Sequence, residues 1–137
     1  MPWLKGLIVA GLLGLTVAAP AQELACREPF KPMLRTELYF GRNIAGQLGV
    51  SERQWTAFLK RELAPRFPDG LTVLDAQGQW REPAGGRPLR EPSKLVIVVT
   101  ADDAGLRERL AAAAAAYKQR FKQKSVGVLT RPVCAAF

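Results

Sequence analysis

Five consecutive apolar residues, Leu95 to Val99, constrain the fold more than any other feature of this chain. A strand with one face in water alternates apolar and polar residues, whereas a strand that is apolar at every position is covered on both faces. The segment from Leu89 to Thr100 is therefore predicted to be a central strand. With 137 residues, the chain can form one sizeable core but not two.

An earlier segment, Met33 to Arg42, has the alternation of a half-buried strand. It is preceded by a polar lead-in over residues 22–32 and followed by a predicted loop from Asn43 to Gly49. One face of the strand is predicted to carry Leu34, Thr36, Leu38 and Phe40, and the other Met33, Arg35, Glu37 and Tyr39.

The next segment has the signals of a helix start. Ser51 is a typical N-cap, Gln54 completes a capping box, and Val50 is placed to pack against Trp55. Pro65 ends the helix. Its apolar face is predicted to hold Trp55, Phe58, Leu59 and Leu63.

The remaining elements follow in the order strand, strand, helix, strand. A strand from Leu71 to Glu82, with a bulge near Gly78, is joined to the central strand through a hairpin tip at residues 84–87. A second helix is capped by Asp102 or Asp103, and a last strand runs from Ser125 to Arg131. The buried face of this helix is predicted to hold Leu106, Leu110, Ala113 or Ala114, Tyr117 and Phe121.

This order predicts an α+β fold, a ferredoxin-like βαββαβ sandwich over residues 33–137. Its four-stranded antiparallel sheet carries two helices on one face. Since the central strand is apolar on both faces, something must cover the other side. A second copy of the chain, as in dimeric α/β barrels, is the simplest candidate.

Several motifs together resemble the "domain of unknown function 3574" family of small exported bacterial proteins, over roughly residues 26–137. The resemblance implies a secreted or periplasmic location and no particular reaction. The motifs are Glu37-Leu38-Tyr39-Phe40-Gly41-Arg42, Trp55-x-x-Phe58-Leu59, Pro65-Arg66-Phe67-Pro68-Asp69-Gly70-Leu71-Thr72-Val73, Gly78-Gln79-Trp80-Arg81, Glu91-Pro92-Ser93-Lys94, Tyr117-Lys118-x-Arg120-Phe121 and Val133-Cys134.

The N-terminal residues 1–21 are predicted to be a signal peptide. Lys5 precedes an apolar run that is too short to span a bilayer, and small residues surround a cleavage point after Ala21 or, alternatively, Ala19. An uncleaved anchor and a lipid-modified Cys26 are the other readings; Glu23 is unfavourable for lipidation. Cleavage removes one of the 20 basic residues and none of the 12 acidic ones, so the mature chain has a formal charge of +7. No transmembrane segment is predicted in the mature chain.

The two cysteines are predicted to form a disulfide, because thiols tend to pair in an oxidising compartment. Cys26 and Cys134 flank the entry to the first strand and the exit of the last. These strands are antiparallel neighbours in the predicted fold, so the topology and the pairing agree.

The absence of histidine limits the chemistry. It excludes Ser-His-Asp and Cys-His nucleophile pairs and His-ligated zinc or haem. Two cysteines cannot form a four-thiolate site. No cofactor and no metal are expected.

Two groups of polar residues are candidate sites. Arg35, Glu37 and Tyr39 share the helix-free face of the first strand, where burial by a partner would raise the pKa of Glu37 and support proton transfer. The hairpin brings a second group together, with Arg81 predicted opposite Arg90 and Glu82 or Glu91 between them. The candidate binding residues are Arg42, Gln79, Trp80, Arg81, Glu91 and Ser93.

A binding or interaction role in the cell envelope, with an anionic ligand, is the preferred interpretation. The alternative is a cofactor-free enzyme of the dimeric barrel type, and a third reading is a protease-inhibitor-like module that uses the loop from Ala84 to Pro88. Nucleic acid is not an expected partner, because the central strand lacks aromatic residues on which bases stack. Gly41-Arg42-Asn43 is only loosely similar to the anion loop of acylphosphatases, and that activity is rejected.

Overall fold

Leu95 to Val99 lies in an inner strand of a four-stranded antiparallel sheet. The computed structural model describes residues 24–81 and 84–137. Within these ranges the elements are β1 (Lys31–Gly41), β2 (Asn43–Ile44), β3 (Gln47–Leu48), α1 (Glu52–Phe58) with a π-helical continuation (Leu59–Leu63), β4 (Thr72–Trp80), β5 (Leu89–Thr100), α2 (Leu106–Phe121) and β6 (Gly127–Ala135).

The sheet has the order β4-β5-β1-β6, and β2 pairs with β3 in a separate small hairpin. In the described residues, two helices pack on the face that carries Leu38, Phe40, Val96 and Val98. The structure thus confirms the predicted α+β class with a four-stranded antiparallel sheet and two helices. On the opposite, helix-free face, alternate residues of β5 are half-buried: Leu95, Ile97 and Val99.

A cluster of aromatic rings forms the centre of the core. The Phe40 ring lies 4.7 Å from that of Tyr117 and 5.3 Å from that of Trp55, measured between centroids. Phe58 and Phe121 extend the cluster along the helices. The Tyr117 hydroxyl donates a 2.8 Å hydrogen bond to the Gly41 carbonyl, and burial raises the pKa of this phenol well above its ordinary value.

The start of α1 matches the sequence prediction. The Ser51 hydroxyl accepts from the Gln54 amide at 3.2 Å, and the Gln54 side chain accepts from the Ser51 amide at 2.9 Å. This reciprocal capping box satisfies two N–H groups that the helix itself cannot pair. The Ala64 amide bonds to the Leu59 carbonyl, and the helical segment stops before Pro65.

Three local predictions are wrong. Asn43 to Gly49 is not simply a loop, since it contains the β2–β3 hairpin. Gly78 does not form a bulge, because β4 and β5 pair one-to-one through it. The last strand starts at Gly127 and continues past Pro132 to Ala135; β6 is an edge strand, where a missing N–H is tolerated.

The cap of α2 also differs from the prediction. The helix starts at Leu106, its N-cap is Gly105, and no side chain caps it. Asp103 acts just before the helix, where it accepts from the Gly105 amide at 2.8 Å and pairs with Arg109. Two further strands differ from prediction only at their ends: β1 is Lys31–Gly41 and β4 is Thr72–Trp80. The bounds of β5, Leu89–Thr100, are those predicted.

Cys26 and Cys134 form a disulfide between the chain ends. The bond lies beside the point where Lys31 of β1 pairs with Ala135 of β6. The predicted signal peptide, residues 1–21, lies outside the described residues. Within the described residues, no helix combines the length and the apolar character needed to cross a membrane.

Candidate functional site

A cavity of about 400 Å³ opens at one end of the helix-free face. Its walls come from the ends of β1, β4 and β5, from the turn of the β2–β3 hairpin and from the segment that follows α2. This cavity is called the Glu91 cavity. Its central residues are Tyr39, Gly41, Gly78, Trp80, Glu91 and Ser93.

Two glycines make room on the floor of the Glu91 cavity. A Cβ atom on Gly41 would lie 2.6–2.7 Å from the carboxylate of Glu91, and one on Gly78 would lie 2.8 Å from the Ser93 hydroxyl. Because such contacts are too short for real atoms, any larger residue at these two positions would displace the polar groups of the floor.

Glu91 is held by the backbone of the chain next to β1. Its Oε2 accepts from the Asn43 amide at 3.1 Å, and the Asn43 side chain donates to the Arg90 carbonyl at 3.2 Å. In residues 24–81 and 84–137, no basic side chain forms an ion pair with Glu91. A carboxylate without an ion-pair partner therefore faces the cavity.

Two aromatic side chains border the cavity and remain exposed to solvent, Trp80 by 38% and Tyr39 by 44%. The end of α2 forms another border, where Lys122 ends the helix with a left-handed backbone. Gln123 donates to the Asn43 carbonyl at 2.7 Å, which ties this border to the β2–β3 hairpin. Lys122 and Lys124 also line the cavity.

Four of the six predicted binding residues line the Glu91 cavity, namely Gln79, Trp80, Glu91 and Ser93. Arg42 lies elsewhere: its side chain is buried, and it donates to the Val50 carbonyl at 2.9 Å and to Glu52 at 2.5 Å. Arg81 is exposed and does not line the cavity.

The predicted pairing of Arg81 with Arg90 is wrong. Arg90 lies opposite Gln79 and donates to its side chain at 3.2 Å, because the hairpin is centred one residue earlier than predicted, between Ala84 and Gly85. Glu82, one of the two proposed partners of these arginines, lies outside the described residues.

Arg35, Glu37 and Tyr39 come together on β1 as the alternation predicts. Arg35 donates to Glu37 at 2.9 Å, and the Tyr39 hydroxyl donates to the other oxygen of the same carboxylate at 2.5 Å. Both hydrogen bonds hold the pKa of Glu37 below its ordinary value, and the bond from Tyr39 has the larger effect. The Glu37 carboxylate in turn raises the pKa of Tyr39. The expected rise in the pKa of Glu37 is thus absent from the single chain.

A polar network on the helix side of the sheet was not predicted from the sequence. Lys94 is 5% exposed, and its ammonium donates to Glu52 at 3.0 Å and also to Asp75. Burial lowers the pKa of Lys94, but the hydrogen bonds to Asp75 and Glu52, together with the negative charges of these two carboxylates, more than offset it and leave the pKa raised. Glu52 also forms an ion pair with Arg42. The network joins α1 to β4, to β5 and to Arg42, the residue that follows β1.

The described part of the chain contains no group of three or more carboxylate or thiol residues placed to hold a metal ion. The cavity itself carries one carboxylate and two lysines among its described lining. It offers hydrogen bonding, charge and aromatic surface to a molecule small enough to enter it.

Comparisons with known proteins identify a family and a fold. The family model described as "Protein of unknown function (DUF3574)" matches residues 35–137. Two structures of a phage SAM lyase are similar in fold: one in complex with S-methyl-5'-thioadenosine (TM-score 0.60, 14% identity, 75% of this chain and 90% of that chain) and one in the apo state (TM-score 0.58, 15% identity, 83% and 92%). No protein with a curated description matches the sequence.

Proposed function

The chain belongs to the DUF3574 family, and from its geometry we propose that it is an exported binding protein whose small-molecule ligand occupies the Glu91 cavity. The observation that carries this proposal is the cavity of about 400 Å³, whose floor is a carboxylate that forms no ion pair within the described residues and whose wall is an exposed tryptophan. Concave sites with a few convergent polar groups are where proteins usually bind small ligands.

The proposed location is the periplasm or the outside of the cell. The signal-like residues 1–21 and the disulfide between Cys26 and Cys134 support it, since disulfides are typical of exported proteins. In this proposal the mature chain begins at Gln22 and forms one domain over residues 33–137. Intact-mass measurement of the exported protein checks the cleavage point, and a mass that includes residues 1–21 contradicts it.

Binding is preferred to catalysis because of the groups at Glu37. A general acid or base works best when its pKa lies near the ambient pH. The pKa of Glu37 is lowered and that of Tyr39 is raised, so both move away from neutrality. The alternative of a cofactor-free enzyme would need a partner or substrate that reverses these shifts.

The shared fold contributes one probe. The structure of the phage enzyme holds S-methyl-5'-thioadenosine. An identity of 14% supports similarity of fold alone, so this nucleoside enters a ligand screen as one compound among sugars, amino acids, polyamines and short peptides.

The first prediction concerns a cavity-filling variant. Ala76 lines the cavity, so Ala76→Phe should reduce the affinity of any cavity ligand by about tenfold or more, because the ring occupies the ligand's space. The screen measures thermal stabilisation and then tryptophan fluorescence; apart from the buried Trp55, the predicted mature chain has only Trp80 as a reporter.

The matched control is Thr72→Phe, on the same strand and the same sheet face but outside the cavity. This variant should retain the wild-type affinity. If no compound stabilises the wild type, or if Ala76→Phe binds as tightly as Thr72→Phe, the proposed binding function is wrong.

We also propose that a second copy of the chain covers the middle of the helix-free face. Leu74 of β4, 44% exposed, lies there beside the half-buried Leu95 of β5, and Leu129 of β6, 46% exposed, lies beside Glu37 of β1. Arg35 and Glu37 form an ion pair on this face, and Arg131 of β6 lies opposite Arg35. The exposed leucines support self-association, since a two-fold interface brings the same apolar patch of both copies together.

The second prediction is that the mature wild type sediments as a dimer and that Leu129→Lys sediments as a monomer, because a lysine in the interface buries an unpaired charge. Val128→Lys is the control, since Val128 is similarly exposed but points to the other sheet face. A wild type that stays monomeric at millimolar concentration contradicts the dimer and leaves the binding function standing.

A further inference from the structure

We infer that the ligand of the Glu91 cavity is a zwitterion, whose primary ammonium group binds the Glu91 carboxylate and whose anionic end lies towards Lys122. This inference rests on the proposed binding function. It goes beyond that function by assigning the chemical class of the ligand and its orientation.

The carboxylate selects the inner end of the ligand. Glu91 is the acidic residue among the described lining, and its Oε2 accepts a single amide hydrogen bond, from Asn43. A carboxylate accepts hydrogen bonds and donates none, so it favours a group rich in N–H donors. A hydrogen bond between two charged groups is stronger than one between neutral groups, and a primary ammonium supplies both donors and charge.

The aromatic wall supports a cationic group at this position. Trp80 and Tyr39 line the cavity together with Glu91, and both rings are partly exposed. A cation near the face of an aromatic ring is attracted by the electrons of the ring, most strongly for tryptophan. In the described residues, the cation–ring contact between Arg120 and Phe121 involves neither of these two rings. Both rings present part of their surface to solvent, where a ligand can reach it.

The basic border determines the outer end. Lys122 lines the cavity at the end of α2, and Lys124 follows two residues later. A ligand with a second cation at this end would be repelled, whereas an anionic group would be attracted. One carboxylate inside and Lys122 at the border thus match a molecule with an ammonium at one end and an anion at the other, such as a free amino acid or the end of a short peptide.

The test uses four probes of one shape: phenylalanine, 2-phenylethylamine, 3-phenylpropanoate and 2-phenylethanol. Ligand-observed NMR and calorimetry measure their affinities for the mature wild-type protein. We expect phenylalanine to bind most tightly and 2-phenylethylamine next, with the acid and the alcohol at least about tenfold weaker than phenylalanine.

Three variants separate the two ends of the ligand. Glu91→Gln keeps the acceptor for the Asn43 amide but removes the charge, so both amine-bearing probes should lose about tenfold or more in affinity. Lys122→Ala should weaken phenylalanine severalfold and leave 2-phenylethylamine unchanged. Lys118→Ala, one turn earlier on the same helix and outside the cavity, should change neither.

The outcomes distinguish this inference from the function on which it rests. Equal or tighter binding of 3-phenylpropanoate, or unchanged amine binding by Glu91→Gln, overturns the zwitterion. If none of the four probes binds, the inference is tested on the ligand found in the screen. A ligand whose amine needs Glu91 for binding supports the inference. A ligand without an amine overturns the inference and leaves the binding function standing. A screen that yields no ligand overturns both.

Discussion

Replacing both Cys26 and Cys134 by serine should lower the free energy of unfolding by as much as about 4–5 kcal/mol. The disulfide closes a loop with a sequence separation of 108 residues, so its removal releases nearly the whole described chain in the unfolded state. The figure is an upper value, because residual structure in the unfolded chain reduces the entropy that the loss of the cross-link releases. Urea denaturation under oxidising conditions measures the difference in unfolding free energy.

The wild type treated with a reductant is the control for this prediction. It should unfold at the same urea concentration as the double serine variant, because both proteins lack the cross-link and are otherwise nearly identical. A double variant whose midpoint equals that of the oxidised wild type would contradict the prediction. It would mean that the sheet alone holds the chain ends, and that the disulfide is dispensable for stability.

The architecture was predictable because the apolar patterns are regular. The alternation of Leu34, Thr36, Leu38 and Phe40 depends only on the two-residue period of a strand, and these residues do face the helices. The capping box of Ser51 and Gln54 is a local interaction three residues apart, so the sequence contains all of it. Where a signal is local or periodic, the sequence was sufficient.

The site was only partly predictable, because its geometry depends on register between distant strands. A one-residue error at the hairpin placed Arg81 rather than Gln79 opposite Arg90. Nothing in the sequence shows that Asn43 contacts Glu91, 48 residues away. Arg42 was predicted to bind a ligand and Lys94 was given no role, but the Glu52 carboxylate of α1 pairs with both and allows them to be buried.

The glycines Gly41 and Gly78 illustrate the same limit. In a strand, a glycine predicts a bulge or a close approach of another group, and the sequence does not say which. The structure shows the close approach: Glu91 lies over Gly41, and Ser93 lies beside Gly78. The signal was therefore present in the sequence, although its interpretation required the strand pairing.

Tyr117 lies in the aromatic core of the protein. Replacing it by alanine should cost about 3–5 kcal/mol of unfolding free energy, since large buried aromatic residues typically lose this much. Its ring packs against Phe40 and Phe58 with centroids 4.7 and 5.0 Å apart, and its side chain is fully buried. Denaturation by guanidinium chloride measures the loss.

Tyr117→Phe separates packing from hydrogen bonding at the same position. It keeps the ring and removes only the hydroxyl that donates to the Gly41 carbonyl, so its cost should be about 1–2 kcal/mol. Because Gly41 forms the floor on which Glu91 lies, this variant should also weaken the cavity ligand more than its small loss of stability suggests. If Tyr117→Ala unfolds within about 1 kcal/mol of the wild type, the aromatic cluster does not stabilise the core. If Tyr117→Phe binds ligand as the wild type does, the hydroxyl supports the fold and not the cavity floor.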